Sequence, residues 1–240
     1  MSRVHAERLL GGLAATGAAA TLVLGLVVAP ADAVQGQAQR LMYVHVPAAW
    51  VAYLAFAWAL VASVAYLARR SAAWDRRAQA AAEVGVGLTA LAIALGSLWG
   101  RPVWGVWWAW DPRLVTTVVL LLVYVGYLGV RGLSDDSSRN ARRAAVVGIV
   151  GFVNVPVVHF SVVWWRTLHQ PPTVLRPEGP QHAIAPAMLA ALLTGVVTFT
   201  LGAGWLYLRR VRSLALAAPD DAATDEADPV HVVVTRGGAA

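Results

Sequence analysis

The chain has 240 residues, of which 58% are hydrophobic and 13% charged, and its formal net charge of +6 rests on 19 basic residues, all arginine. A soluble domain carries about 25% charged residues, so this composition belongs in a membrane. The lack of cysteine excludes a disulfide framework, a thiolate metal site and a thiol nucleophile.

Six apolar runs are long enough to span a bilayer, since about 20 residues cross the hydrocarbon. They cover approximately residues 10–31, 48–68, 82–100, 114–130, 144–165 and 183–208. The expected fold is an all-α bundle of six transmembrane helices over residues 1–212, with a disordered cytoplasmic tail over 213–240. The links after the second and fourth runs hold Arg69, Arg70, Arg76, Arg77 and Arg131, Arg139, Arg142, Arg143. Both read as solvated turns. Arg3 and Arg8 precede the first run, and Arg209, Arg210 and Arg212 follow the last. Positive charge marks the cytoplasmic side, so both termini are expected there, and clustering between apolar runs fits orientation better than nucleic-acid binding. The outer loops then fall near 32–47, 99–113 and 166–182. The first run has a rival reading as a cleaved signal, with Ala31-Asp32-Ala33 as a small-x-small site, although it is longer than a usual signal core.

The first outer loop is polar until Leu41 and contains Arg40, then Tyr43-Val44-His45-Val46-Pro47. Pro47 suits the first turn of the second span, which leaves His45 just above the membrane. The second outer loop is the densest feature of the sequence. Trp99, Trp104, Trp107, Trp108 and Trp110 fall within twelve residues, and Asp111 and Arg113 close the run. Its glycines and Pro102 argue against one regular helix through the whole stretch. Burying one tryptophan removes about 150–250 Å² from water, so five must lie against lipid headgroups, protein or a large flat ligand. In the fifth span, Asn154, Pro156 and His159 precede Trp164-Trp165-Arg166-Thr167-Leu168-His169-Gln170, and Pro171-Pro172 ends any helix there. His159 is a polar group within the bilayer: a functional group or a histidine bonded to a neighbouring helix. His182 lies in the third outer loop, while His5 and His231 fall on the cytoplasmic side.

An aromatic belt would populate both interfaces. Here Trp50, Trp99, Trp104, Trp107, Trp108, Trp110, Trp164 and Trp165 belong to the outer side, against Trp74 and Trp205 on the inner. That asymmetry favours an outer aromatic platform. His45 and His169 flank it, one on each neighbouring loop, with Arg40, Arg101, Arg113, Arg166 and Arg176 around them. Imidazole ligates iron, tryptophan covers a porphyrin face, and arginine pairs with carboxylates. A zinc site would use the histidines but not the tryptophans. The residues alone thus describe a flat, anionic, metal-containing ligand on the outer face. No phosphate-binding loop is present, so the chain does not hydrolyse ATP by that route.

Trp104-Gly-Val-Trp-Trp-Ala-Trp-Asp-Pro-Arg-Leu resembles the core motif of the tryptophan-rich haem-handling proteins of cytochrome c biogenesis. Met42-Tyr-Val-His-Val-Pro-Ala-Ala-Trp and Phe160-Ser-Val-Val-Trp-Trp-Arg-Thr-Leu-His-Gln resemble the flanking-loop motifs of its cytochrome c maturation protein C family, over roughly residues 10–210. The family's core often ends in Leu-Thr; here Leu114 is followed by Val115 and then Thr116.

The resemblance implies haem b held non-covalently at the outer face of the bacterial inner membrane, with His45 and His169 as axial ligands. Trp99, Trp104, Trp107, Trp108 and Trp110 would form the platform, with Asp111, Arg113, Arg40 and Arg166. Arg113, helped by Arg40 or Arg166, would hold the propionates or dock a partner, and Asp111 would orient Arg113. The implied activity is haem delivery, with lyase-like assistance to covalent attachment on the recipient and no catalytic residue assigned in this chain. The recipient is a periplasmic haem chaperone (CcmE). An ATP-binding cassette complex (CcmA and CcmB) with a small membrane subunit (CcmD) then releases the loaded chaperone. The alternatives are a cytochrome c synthase attaching haem directly to apocytochrome, and a haem b or quinone-binding membrane anchor. The last needs paired histidines inside facing helices, and only His159 is placed for that.

Overall fold

The structure is a computed structural model and describes residues 3–170 and 184–217. Expectations for the rest of the third outer loop, with Arg176 and His182, and for the tail beyond residue 217 lie outside those residues. Within them the chain is nearly all helix. The elements are α1 (Arg3–Val23, continued by a π turn over Leu24–Val28), α2 (Met42–Arg69), α3 (Ala72–Trp104), α4 (Pro112–Gly129), α5 (Ser137–Phe152), α6 (Asn154–Trp164) and α7 (Pro186–Ala217). Six helical segments are long and apolar enough to cross a membrane, α5 and α6 together making the fifth, and the protein is an integral membrane protein. Six crossings put residues 3 and 217 on one side and the tryptophan-rich stretch on the other.

Several helices run past the expected loop boundaries. A short 3₁₀ turn, Gln37–Leu41, leads directly into α2, so His45 sits in the first turn of a helix and not in a loop. Pro47 falls one turn further in than expected. The link between α2 and α3 is only Arg70-Ser71, Arg70 taking a left-handed conformation at φ 55°. Arg76 and Arg77 therefore lie on α3, not in a solvated turn, and the Arg77 guanidinium covers the Trp74 ring at 4.5 Å. A cation over an indole face keeps a charged stem against apolar surface while its head reaches water. At the other end α3 continues through Gly100 and Pro102 and stops at Trp104, because Gly105 adopts φ 79°, which closes a helix with little strain. The tryptophan stretch is thus helical in its first third and irregular from Gly105 to Trp110. The fifth span breaks at Val153, three residues before Pro156, as the missing N–H of that proline requires. The Asn154 amide donates to the Thr116 carbonyl at 2.8 Å and ties the break to α4.

The core is built by α2, α3, α4 and α5. Phe56 and Tyr124 are fully buried and stack at 3.9 Å between ring centres. Gly85 admits the Phe56 ring, since a Cβ there would come within 2.4 Å of it. The Tyr124 hydroxyl donates to the Gly148 carbonyl at 3.0 Å. At the arginine-rich end Arg131 pairs with Asp75, and Arg210 with Glu83. α1 docks on α7 through Thr21 and Thr198, whose hydroxyls lie 3.3 Å apart.

α7 closes against α2 at Gly195, where a Cβ would stand 2.6 Å from the Tyr43 carbonyl oxygen and 3.0 Å from Pro47 Cγ. That carbonyl is the one Pro47 cannot bond in the α-helical pattern, so the glycine lets α7 approach it. Gly195→Val should cost about 1–3 kcal/mol by overpacking. A thermal melt of the detergent-purified protein checks this against Gly204→Val, where nothing lies within 4 Å. Equal melting temperatures would show that the close approach carries no energy.

Candidate functional site

A cavity of about 360 Å³ opens at the tryptophan end between α2, α3 and α4. α2 contributes His45, Trp50 and Tyr53; α3 contributes Ala92, Gly96, Trp99 and Trp104. Trp108, Arg113 and Thr117 close a third side, and Leu168-His169-Gln170 covers the mouth.

The two histidines, 124 residues apart in the chain, face each other here, with ring centres 6.4 Å apart and planes at 30°. Each is held from behind. His45 Nδ1 lies 2.9 Å from the Ala92 carbonyl oxygen, which only accepts, so Nδ1 carries the proton and Nε2 keeps its lone pair. His169 Nδ1 donates in the same way to the Gln170 carbonyl at 3.3 Å. A metal-ligating histidine uses such a bond to fix tautomer and ring orientation. His45 reaches its place because Gly96 lacks a side chain; a Cβ there would stand 3.0 Å from His45 Cε1. A tryptophan edge meets each imidazole, Trp99 at 5.7 Å from His45 and Trp104 at 6.3 Å from His169. Burial, and then the nearby Arg113 charge, push the His169 pKa down from 6.5 to about 4. The imidazole is therefore neutral at pH 7, the form that can bind a metal.

The expected site residues divide into two groups. His45, Trp99, Trp104, Trp108, Arg113 and His169 line the cavity. Trp107 and Trp110 do not, and are 58% and 84% exposed. Trp110, Asp111 and Arg166 instead border a shallow groove at the tryptophan end, with Leu168 as its shared wall with the cavity. Arg40 is not brought to the platform: its guanidinium donates to the Gly25 carbonyl and to Gln37, where the π turn after α1 leaves a carbonyl to satisfy. His159 also lies outside the cavity. It packs edge-on against Trp50 at 5.7 Å and Tyr53 at 6.4 Å, the two side chains that stand between it and the site.

Asp111 does not orient the Arg113 guanidinium. Its Oδ1 accepts from the Arg113 backbone N–H at 2.9 Å and caps α4, with Pro112 in the first helical position. Its Oδ2 accepts from the Leu168 N–H at 2.6 Å. No carboxylate stands within ion-pair distance of Arg113 among the described residues.

Sequence reasoning missed the α3 face of the cavity. Thr89, Ala92, Gly96 and Gly100 line it and recur every three or four residues. A small-residue stripe at helical spacing was the signal for it. It also missed Gln35, whose Oε1 accepts from Trp99 Nε1 at 2.9 Å and ties the segment before α2 to α3.

The family model described as Heme exporter protein C matches residues 3–224. A protein of that name from Bradyrhizobium diazoefficiens is 42% identical over 214 residues, covering 83% of this chain and 81% of its own length. The protein of that name from Escherichia coli is 38% identical over 199 residues, covering 81% and 77%. A putative cytochrome c biosynthesis ccmC-like mitochondrial protein of Marchantia polymorpha is 32% identical over 199 residues, covering 83% of each. The match spans all six membrane helices and both histidine-bearing segments, and the chain belongs to the Heme exporter protein C family.

Proposed function

We propose that this protein holds haem b non-covalently between His45 and His169 and hands it to a periplasmic haem chaperone. The observation that carries the reading is the histidine pair itself. A metal held by both imidazoles, at bonds of about 2 Å and about 1 Å from each nitrogen to its ring centre, would need the rings within about 6 Å of each other. The separation here is 6.4 Å, with the Nδ1 atom of each ring already engaged on a carbonyl. Two protein ligands suffice only when the ligand brings the others, as a porphyrin does. A structural zinc takes four, and no group of three or more metal-ligating side chains occurs among the described residues.

The two groups of site residues support a division of labour. Trp99, Trp104 and Trp108 line the cavity and give haem its apolar walls. Arg113 supplies a cation for the propionates. Trp107 and Trp110 are exposed, and Arg166 borders the outer groove. These three form a surface for the chaperone that takes the haem onto its own histidine. An exporter complex with an ATP-binding cassette would then free the loaded chaperone, since this chain has no nucleotide-binding loop. The arginine clusters support an orientation with both termini in the cytoplasm of a bacterial inner membrane.

The test separates holding from handing over. Trp107→Ala combined with Trp110→Ala should leave the absorption spectrum of the purified haem-loaded protein unchanged and reduce haem transfer to the chaperone by about tenfold, the loss expected for one or two exposed aromatic anchors. Transfer directly to apocytochrome with no chaperone would favour the synthase reading. Unimpaired transfer in the double variant would remove the outer tryptophans from the docking surface.

A further inference from the structure

We infer that Asp111 is a positioning residue for His169: its carboxylate joins the cap of α4 to the loop that carries the second histidine. The inference rests on His169 serving as an iron ligand.

The two carboxylate oxygens are divided between two distant parts of the chain. Oδ1 caps α4 through Arg113 N–H, and Oδ2 takes the Leu168 N–H, 57 residues further on. Asp111 is 5% exposed, so neither bond competes freely with water. Both are charge-assisted and run to backbone amides, which fix main chain and not merely a side chain. The receiving segment needs such an anchor. α6 ends at Trp164, and from Arg166 to Gln170 there is no regular structure. Its other hydrogen bonds are local, His169 N–H to Thr167 Oγ1 and His169 Nδ1 to the Gln170 carbonyl. Among the described residues the Asp111 bond is the one hydrogen bond tying 166–170 to another element.

The anchored amide belongs to the residue directly before His169. Holding Leu168 therefore sets where the histidine backbone starts, while the Gln170 bond sets the ring. Local bonds alone would shape the loop but leave it free to swing as a unit away from His45. Trp110, 84% exposed, directly precedes Asp111 in the chain.

The experiment uses the full chain and separates cap from tether. Serine is as good an N-cap as aspartate, but it has no second oxygen to stand where Oδ2 meets the Leu168 amide. Asp111→Ser should keep the melting temperature within a few degrees. Hydrogen exchange of the haem-free protein should show the Leu168 amide exchanging at least about tenfold faster, the tether being its sole protection. With haemin added, the low-spin absorption and electron paramagnetic resonance signals should fall in favour of high-spin ones, and millimolar imidazole should restore them. Should the serine variant not fold, Asp111→Asn, an equally good cap with one acceptor oxygen, takes its place. Unchanged exchange at Leu168, or an intact low-spin signal in a variant whose His169→Ala counterpart loses it, overturns the positioning role. A low-spin signal that survives His169→Ala overturns the ligand assignment instead, and the exchange measurement still reports on the tether.

Discussion

Charge reversal at Arg113 should weaken haemin binding by more than about 10²-fold. Arg113 is the second residue of α4, half-buried, and lines the cavity beside both histidines. A cation in such a position is normally paired, yet no carboxylate lies within reach among the described residues, and Asp111 spends its oxygens on backbone amides. The guanidinium has the Tyr53 hydroxyl as a neighbour, and under the proposed function the anion that pairs with it comes with the ligand. A bidentate arginine–carboxylate pair built of charge-assisted hydrogen bonds contributes about 3 kcal/mol net, or about 10²-fold in affinity. Arg113→Gln should forfeit that much. Arg113→Glu should lose more, since it adds repulsion between two carboxylates in a partly dry site. The same charge helps hold His169 neutral, so the glutamate variant should also make that imidazole easier to protonate. Haemin titration followed by absorption measures both variants. Equal affinity for wild type and glutamate variant would remove Arg113 from the propionate site.

The sequence made the bundle legible because the bilayer imposes it. Six apolar runs of sufficient length leave few other folds for residues 3–217. Boundaries were less legible. Arg76 and Arg77 look like loop residues by composition, but α3 extends well beyond the hydrocarbon, and arginine and glutamine are good helix formers once the chain leaves the lipid. His45 looks like a loop residue because Pro47 follows it, yet a proline in the second turn removes only one hydrogen bond.

The site divides along the same line. The residue types needed to bind haem could be read from the chain, but their partners could not. That Asp111 would spend one oxygen on Leu168 depends on how α6 ends, and that Arg40 would turn to Gly25 depends on a π turn with no sequence signature. His45 and His169 each look ordinary in isolation. The cavity joins them because Gly96 and Ala92 leave room on α3 for one imidazole, and because a tethered loop brings the other.

His45→Ala and His169→Ala should each remove the low-spin spectrum of the haem-loaded protein. Loss of an outer-shell partner of a metal ligand costs about 10–100-fold in affinity, so loss of a ligand itself should cost at least about 10²-fold. The two variants should respond differently to added imidazole. His169 is half-buried at the mouth between the exposed Leu168 and Gln170, so imidazole should reach its vacated place and restore the signal. His45 lies deeper, against Gly96 and Trp99, and rescue there should be weaker. Acid gives an independent check. The His169 pKa falls from 6.5 in the unfolded chain to about 4 in the folded one. Between those values the unfolded state binds the proton and the folded state does not, so this histidine makes stability fall as pH drops from 6.5 towards 4, with no further loss below. Over the same window the folded imidazole stays neutral and competent to ligate. Haem should therefore remain low-spin from pH 7 to pH 5, where free imidazole is largely protonated, and convert only as pH approaches 4. His159→Ala should leave spectrum and acid profile unchanged, because Trp50 and Tyr53 keep that ring out of the cavity. A spectrum lost with His159 and retained without His45 or His169 would move the ligand into the bilayer and restore the membrane-anchor reading.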